Sequence, residues 1–149
     1  MKALLQRVSH STVSAGGEEI GSIGRGLLVL VGVAIGDDEE DINYLLKKIF
    51  NLRIFPDSEG HFNRSLLDID GELLLVSQFT LLADTGKGRR PSFSEAAPSE
   101  EAKRLFELFA EKAMASDLKV ATGRFQAYMT VELVNDGPVT IMLDSHQRN

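Results

Sequence analysis

The run "LLVLVGVAI", Leu27 to Ile35, restricts the fold more than any other part of the chain. It is apolar at every position but its single glycine, so it reads as a strand buried on both faces. Around it the chain supplies further β segments and two amphipathic helices. "KALLQRVSHSTVS" and "GGEEIGSIGRG" read as strands separated by glycine-rich turns. "DDEEDINYLLKKIFNL" begins with acidic residues, which a helix N-terminus favours, and repeats Ile42, Leu45, Leu46, Ile49 and Phe50 at helical spacing. The spacing next predicts a strand over Glu72 to Leu82. A second helix follows, capped by Ser99, with Leu105, Phe106, Leu108, Phe109, Ala113 and Met114 as its buried stripe. In the final third Met129, Val131 and Leu133 alternate against Thr130 and Glu132, the period of a strand. Strands, helix, strands, helix, strands, without a regular βαβ repeat, favour a mixed or antiparallel α/β domain over a doubly wound parallel sheet.

Composition narrows the classes. A chain of 149 residues fits one domain, here residues 1–149, and can bury roughly 70% of its unfolded surface without metal or disulfide support. With no cysteine there is neither a disulfide frame nor a thiolate nucleophile. The first residues, "MKALLQRVSH", lack a signal-peptide core and no apolar run approaches membrane-spanning length, so a soluble, cytoplasmic protein with no membrane partner is expected. A net charge of -6 and a pI near 5.1 exclude a whole-surface nucleic-acid binder; any RNA contact must come from a local basic patch.

Most candidate sites have simpler readings. The acidic run Asp37 to Asp41 has no EF-hand spacing and reads as a helix N-terminus with solvated carboxylates. Gly21, Gly24 and Gly26 precede a strand instead of joining strand to helix, so neither dinucleotide nor P-loop fingerprint is met. His10, His61 and His146 show no metal-ligand spacing, and His146 in "DSHQRN" reads as part of a solvated tail. No metal or other cofactor is expected. In "VNDGPVT", Asp136-Gly137 reads as a hairpin turn between two apolar stretches, with Pro138 awkwardly at a strand start.

Two stretches carry more. In "LLVSQFTLL" the polar Ser77, Gln78 and Thr80 interrupt an apolar strand. Either alternation puts Gln78 and Thr80 on a solvated face, or the strand end lines a cleft where hydroxyls and outward backbone N–H groups bind an oxyanion. Directly after it, "GKGRRPSF" gathers Lys87, Arg89 and Arg90, three cations in an acidic protein that suit salt-sensitive phosphate contacts.

Taken together, "SQFTL", "RPSF" and "NDGPVT", with "ALLQRV" and "GLLVLVGV", resemble the D-aminoacyl-tRNA deacylase family over nearly the whole chain, in order and at compatible spacing. The resemblance implies a homodimer of mixed α/β subunits, each a small β-barrel-like sheet flanked by two main helices. It implies hydrolysis of the ester of tRNA 3′ ends charged with a D-amino acid, or with glycine on a non-cognate tRNA. Ser77, Gln78, Phe79 and Thr80 would form the catalytic stretch, Phe79 and Thr80 supplying backbone N–H groups to the ester carbonyl. Gly137 and Pro138, joined by a cis peptide bond, would reach into the partner's site and exclude L-amino acids, while Phe125 and Met129 would line the terminal adenosine's pocket and Lys87, Arg89 and Arg90 would meet tRNA. A non-catalytic RNA- or nucleotide-binding module using the basic loop is the alternative, since no side-chain nucleophile is evident.

Overall fold

The computed structural model describes residues 1–148. Its organising strand is β1, Lys2–Ala15, long enough to serve three neighbours. Along one edge β1 pairs antiparallel with β3, Gly26–Gly32, over Lys2 to Val8, and then with β2, Glu18–Ile23, over Ser11 to Ala15. β3 continues in parallel to β6, Glu72–Ser77, and β6 in parallel to β7, Val120–Thr122. A Cβ placed on Gly21 of β2 would lie 3.2 Å from the Thr122 carbonyl oxygen of β7. The two ends of the sheet thus nearly meet, and the architecture is a mixed α/β barrel-like sheet with two helices. β4, Phe55–Pro56, and β5, Phe62–Arg64, form a separate small ribbon.

Strand alternation explains two cores. Leu27, Val29 and Val31 of β3 and Leu73 and Leu75 of β6 face α1, Glu39–Asn51, and α2, Ser99–Met114, in the larger cluster. Leu28 and the β6 residues Leu74 and Val76 face inward, where Val8, Val13 and Ile23 complete the barrel's own core. β3 is therefore covered on both faces, as its composition predicts. The strand stops at Gly32, however, and Ile35 is 61% exposed. At the start of β3 a Cβ on Gly26 would stand 1.8 Å from the Glu72 carbonyl oxygen, so only glycine permits this strand approach.

The helices form where expected, with different caps. Asp38 caps α1: its carboxylate accepts from the Glu40 amide, and Asp41 returns a bond to the Asp38 amide at 2.9 Å, a reciprocal box. Ser99 does not cap α2. Pro98 precedes the helix without any side-chain cap, and the Ser99 hydroxyl instead accepts from Gln126. The buried stripe of α2 is Ala102, Leu105, Phe106, Phe109, Ala110 and Ala113; Leu108 is half-buried and Met114 is 51% exposed. No helix among the described residues is long and apolar enough to cross a membrane.

The chain's last strand differs from the expected hairpin. β8, Met129–Asp144, is one strand whose two halves both pair with β1. Val8 pairs with Asn135 and Gln6 with Thr140, so Asp136 to Val139 stand opposite Arg7 alone. The Asp-Gly pair makes a bulge, because the strand resumes in its original direction instead of reversing. Within that bulge Gly137 has φ +145° and the Gly137-Pro138 peptide bond is cis.

Candidate active site

β6 ends one residue after Val76, and the predicted strand to Leu82 is cut short there. Gln78 leaves the ladder after donating its amide to the Val31 carbonyl at 2.7 Å, and Phe79–Leu82 form a 3-10 turn anchored by the buried Leu82. Turn closure runs from the Leu81 amide to the Gln78 carbonyl, so the amides of Phe79 and Thr80 occupy the two opening positions and have no partner inside the turn. The polar residues of "SQFT" follow from this change of conformation, a compact turn at a sheet edge in place of an alternating strand.

This turn forms one wall of a cleft of about 530 Å³. Ser77, Gln78 and Phe79 line it; Phe125, Met129 and Val131 lie among its other walls, with Ala102 of α2. Sequence reasoning thus placed five residues of the cleft, Ser77, Gln78, Phe79, Phe125 and Met129, across 53 positions of chain. Phe125 is braced by Phe106 at 6.2 Å between ring centroids, and Met129 packs on the barrel core. Thr80 is exposed and does not line the cleft; its hydroxyl accepts from the Gln78 side-chain amide.

The segment after the turn is fastened down at both ends. Asp84 and Ser92 exchange backbone bonds at 2.7 and 2.9 Å, the Ile35 amide donates to Glu95, and the Ala97 amide donates to Val33. Phe93 of "RPSF" packs edge-on against Phe79 at 4.9 Å, which ties that motif to the cleft wall. Lys87, Arg89 and Arg90 sit on the exposed tip between these anchors and are not cleft-lining residues.

Gly137 and Pro138 do not line this cleft either. Both are exposed, yet their bulge is held firmly from beneath. Arg7, 7% exposed, donates from Nε to the Asp136 carbonyl and from Nη1 to the Ile54 carbonyl, each at 2.8 Å, and its guanidinium lies 5.4 Å from the Phe62 ring centroid. The Asn135 side chain accepts from the Val139 amide at 2.7 Å and donates to the Val139 carbonyl at 3.2 Å. Arg7 and Asn135 were missed as site residues. The signal was available for Arg7: it occupies an inward position in the alternating "ALLQRV", where a charge needs a buried partner.

A second assembly corrects two expectations. Asp37 and Asp41 are buried, not solvated, and His146 is not part of a free tail. Asp37 Oδ1 accepts from the Met1 ammonium at 2.8 Å and lies 2.7 Å from His146 Nε2, while Oδ2 accepts from the Ala34 amide at 2.6 Å. Burial alone would raise the Asp41 carboxyl, but bonds from Ser145 and the Asp38 amide, with the Met1 ammonium and His146 nearby, hold it below its ordinary value. The three side chains bring ligand-type atoms within 4.8 Å of one another, across 109 residues of sequence that local spacing could not bridge. The ammonium already supplies a positive charge there.

Comparison with known proteins decides the kinship. The profile of the family described as D-Tyr-tRNA(Tyr) deacylase matches residues 4–144. The chain belongs to that family. A D-aminoacyl-tRNA deacylase of Dehalococcoides mccartyi is 59% identical over 99% of this chain and 97% of its own length. One from Roseiflexus sp. strain RS-1 is also 59% identical, over 97% of this chain and 94% of its own. Among solved structures, one described as the c-Myc DNA unwinding element binding protein superposes with a TM-score of 0.92 at 42% identity, over 97% of this chain and 98% of that one. A probable eukaryotic D-amino acid tRNA deacylase shares the fold, with a TM-score of 0.75 at 18% identity.

Proposed function

We propose that this family member hydrolyses the ester that joins a D-amino acid to the 3′ end of tRNA, releasing the free amino acid and tRNA. One observation carries the reading: two adjacent backbone amides, those of Phe79 and Thr80, open a turn at the edge of a cleft large enough for an aminoacylated nucleoside. They are suited to hold the carbonyl oxygen as it gains charge. Water adds to the carbonyl carbon, the carbon–oxygen bond to the ribose breaks, and the ribose oxygen leaves with a proton. An aminoacyl ester is already activated and carries a neighbouring 2′-hydroxyl that can assist the attacking water, so positioning and charge stabilisation replace a protein nucleophile. The terminal adenosine docks against Phe125 and Met129, and Lys87, Arg89 and Arg90 meet the tRNA phosphates.

Selectivity requires a second copy. Gly137 and Pro138 are exposed, rigidly supported and absent from their own cleft, which suits insertion into the cleft of a homodimer partner. There their carbonyl oxygens stand where an L side chain would go. Building in a clash discriminates more sharply than optimising contacts to the D form, and glycine, with no side chain, passes. The site of action is the cytoplasm, where aminoacyl-tRNA is made. Incubating chelator-treated protein with D-tyrosyl-tRNA and with L-tyrosyl-tRNA tests this: loss of the D ester alone is expected. Unchanged levels of both would overturn the proposal in favour of a non-catalytic RNA-binding role.

A further inference from the structure

At the cleft's rim the chain turns from β7 into β8 through Arg124 to Tyr128. Tyr128 is 94% exposed, against 61% for Ile35, the next most exposed large apolar residue. It also lines the cleft, beside Phe125 and Met129. The turn is held in shape: Gln126 takes φ +62°, the Ala127 amide donates to the Arg124 carbonyl at 3.2 Å, and Gln126 Nε2 donates to the Ser99 hydroxyl of α2 at 2.7 Å. Both partners of that clasp line the cleft, and the Tyr128 ring is left in solvent. Arg124, on the same turn, is exposed, and its guanidinium has no ion pair among the described residues of a chain with net charge -6.

An aromatic platform beside a free cation is the combination that holds unpaired nucleotides: the ring stacks on a base of any identity and the cation meets a phosphate. We propose that Tyr128 stacks on the base of the unpaired nucleotide preceding the terminal adenosine of tRNA, with Arg124 at the phosphate between them. The inference rests on the proposed docking of that adenosine against Phe125 and Met129.

The test compares three D-tyrosyl esters that differ only in the nucleic acid carried: adenosine, the dinucleotide cytidylyl-adenosine, and whole tRNA. Tyr128→Ala is expected to raise KM for the dinucleotide ester and for tRNA by about 5- to 150-fold, and to move the KM of the adenosine ester far less. Tyr128→Trp restores the KM. Arg124→Gln lowers the salt slope of tRNA binding by about 0.7. An equal rise for the adenosine ester overturns the proposal. So does a change of oligomeric state in Tyr128→Ala, measured by sedimentation, which would assign the ring to contact with a second copy. The chain has two tyrosines and no tryptophan, so in a Tyr44→Phe background Tyr128 is the one intrinsic reporter. Uncharged CpCpA is expected to quench it. Quenching without hydrolysis of any ester would leave the stacking intact and remove the deacylase reading; absence of quenching would remove the stacking whatever the esters do.

Discussion

The cleft and the Gly137-Pro138 bulge are built in opposite ways. The cleft gathers its walls from four separated stretches of chain, and at its edge the amides of Phe79 and Thr80 are left without a partner inside their turn. The bulge is four residues long and its backbone is tied to side chains: the Asp136 carbonyl to Arg7, the Val139 amide and carbonyl to Asn135. One region is a concave cleft, the other an exposed projection that does not line it. In the proposed mechanism backbone amides act on the ester, whereas the shape of the bulge depends on the side chains beneath it.

The largest expected effect removes one of the two amides. Phe79→Pro eliminates an N–H at the first position of the 3-10 turn, where proline's fixed φ is tolerated and where the preceding Gln78 is already non-helical. A loss of about 10²- to 10³-fold in kcat is expected. Phe79→Ala, which keeps the amide and forfeits only the edge contact to Phe93, should cost far less. Equal losses in the two variants would place the effect in the ring and dissolve the contrast between the two regions.

Next comes the support of the bulge. Arg7→Ala strands the carbonyls of Asp136 and Ile54, and each unpaired buried acceptor costs about 1–3 kcal/mol. Denaturant unfolding should show a loss of about 2–5 kcal/mol, and the ratio of D- to L-tyrosyl-tRNA hydrolysis should collapse in whatever fraction remains folded. Arg7→Lys keeps the charge but reaches one carbonyl at a time, so an intermediate ratio is expected. A ratio unchanged in folded Arg7→Lys would show that the bulge keeps its shape without the planar fork.

A smaller effect lies outside both regions and serves as their control. Asp41's carboxyl is held below its ordinary value of 3.8, so its ionised form is favoured by folding. That stability is fully present above about pH 4 and is lost as pH falls through the lower, folded-state value. Asp41→Asn should flatten the acid end of the stability profile while leaving the D to L ratio alone, measured at neutral pH. A shifted ratio would couple the Asp37, Asp41 and His146 assembly to selection.

What was legible in sequence was periodicity, and what was not was convergence. The two-sided burial of Leu27 to Val31 and the inward stripe of α1 follow from spacing along one element. The Asp136-Gly137 pair was misleading, since a hairpin turn and a bulge use the same residue types and only pairing with β1 distinguishes them. Ser99 carried an N-cap signature but spends its hydroxyl on Gln126, 27 residues away. Asp37 and His146 meet across 109 residues, and Arg7 meets Asp136 across 129; no local pattern encodes either distance. Motif resemblance brought together Ser77, Gln78, Phe79, Phe125 and Met129, which share the cleft, and with them Thr80, Lys87, Arg89 and Arg90, which do not line it.

The smallest expected effect separates the two chemical readings of the cleft. The Thr80 hydroxyl is exposed, lies off the cleft lining and is already engaged by the Gln78 side chain. A nucleophile in that state would have to break this bond and turn toward the ester without a base beside it. If only the Thr80 amide acts, Thr80→Ala removes an exposed hydrogen bond worth about 0.5–1.5 kcal/mol and leaves the N–H in place, so kcat should stay within about tenfold of the parent. Loss of an attacking hydroxyl would cost a thousandfold or more. Single-turnover hydrolysis of D-tyrosyl-tRNA discriminates the two without interference from product release. A near-parental rate keeps the cleft a backbone device, as its contrast with the side-chain-braced bulge requires, whereas a collapse would make the two regions alike in depending on side chains.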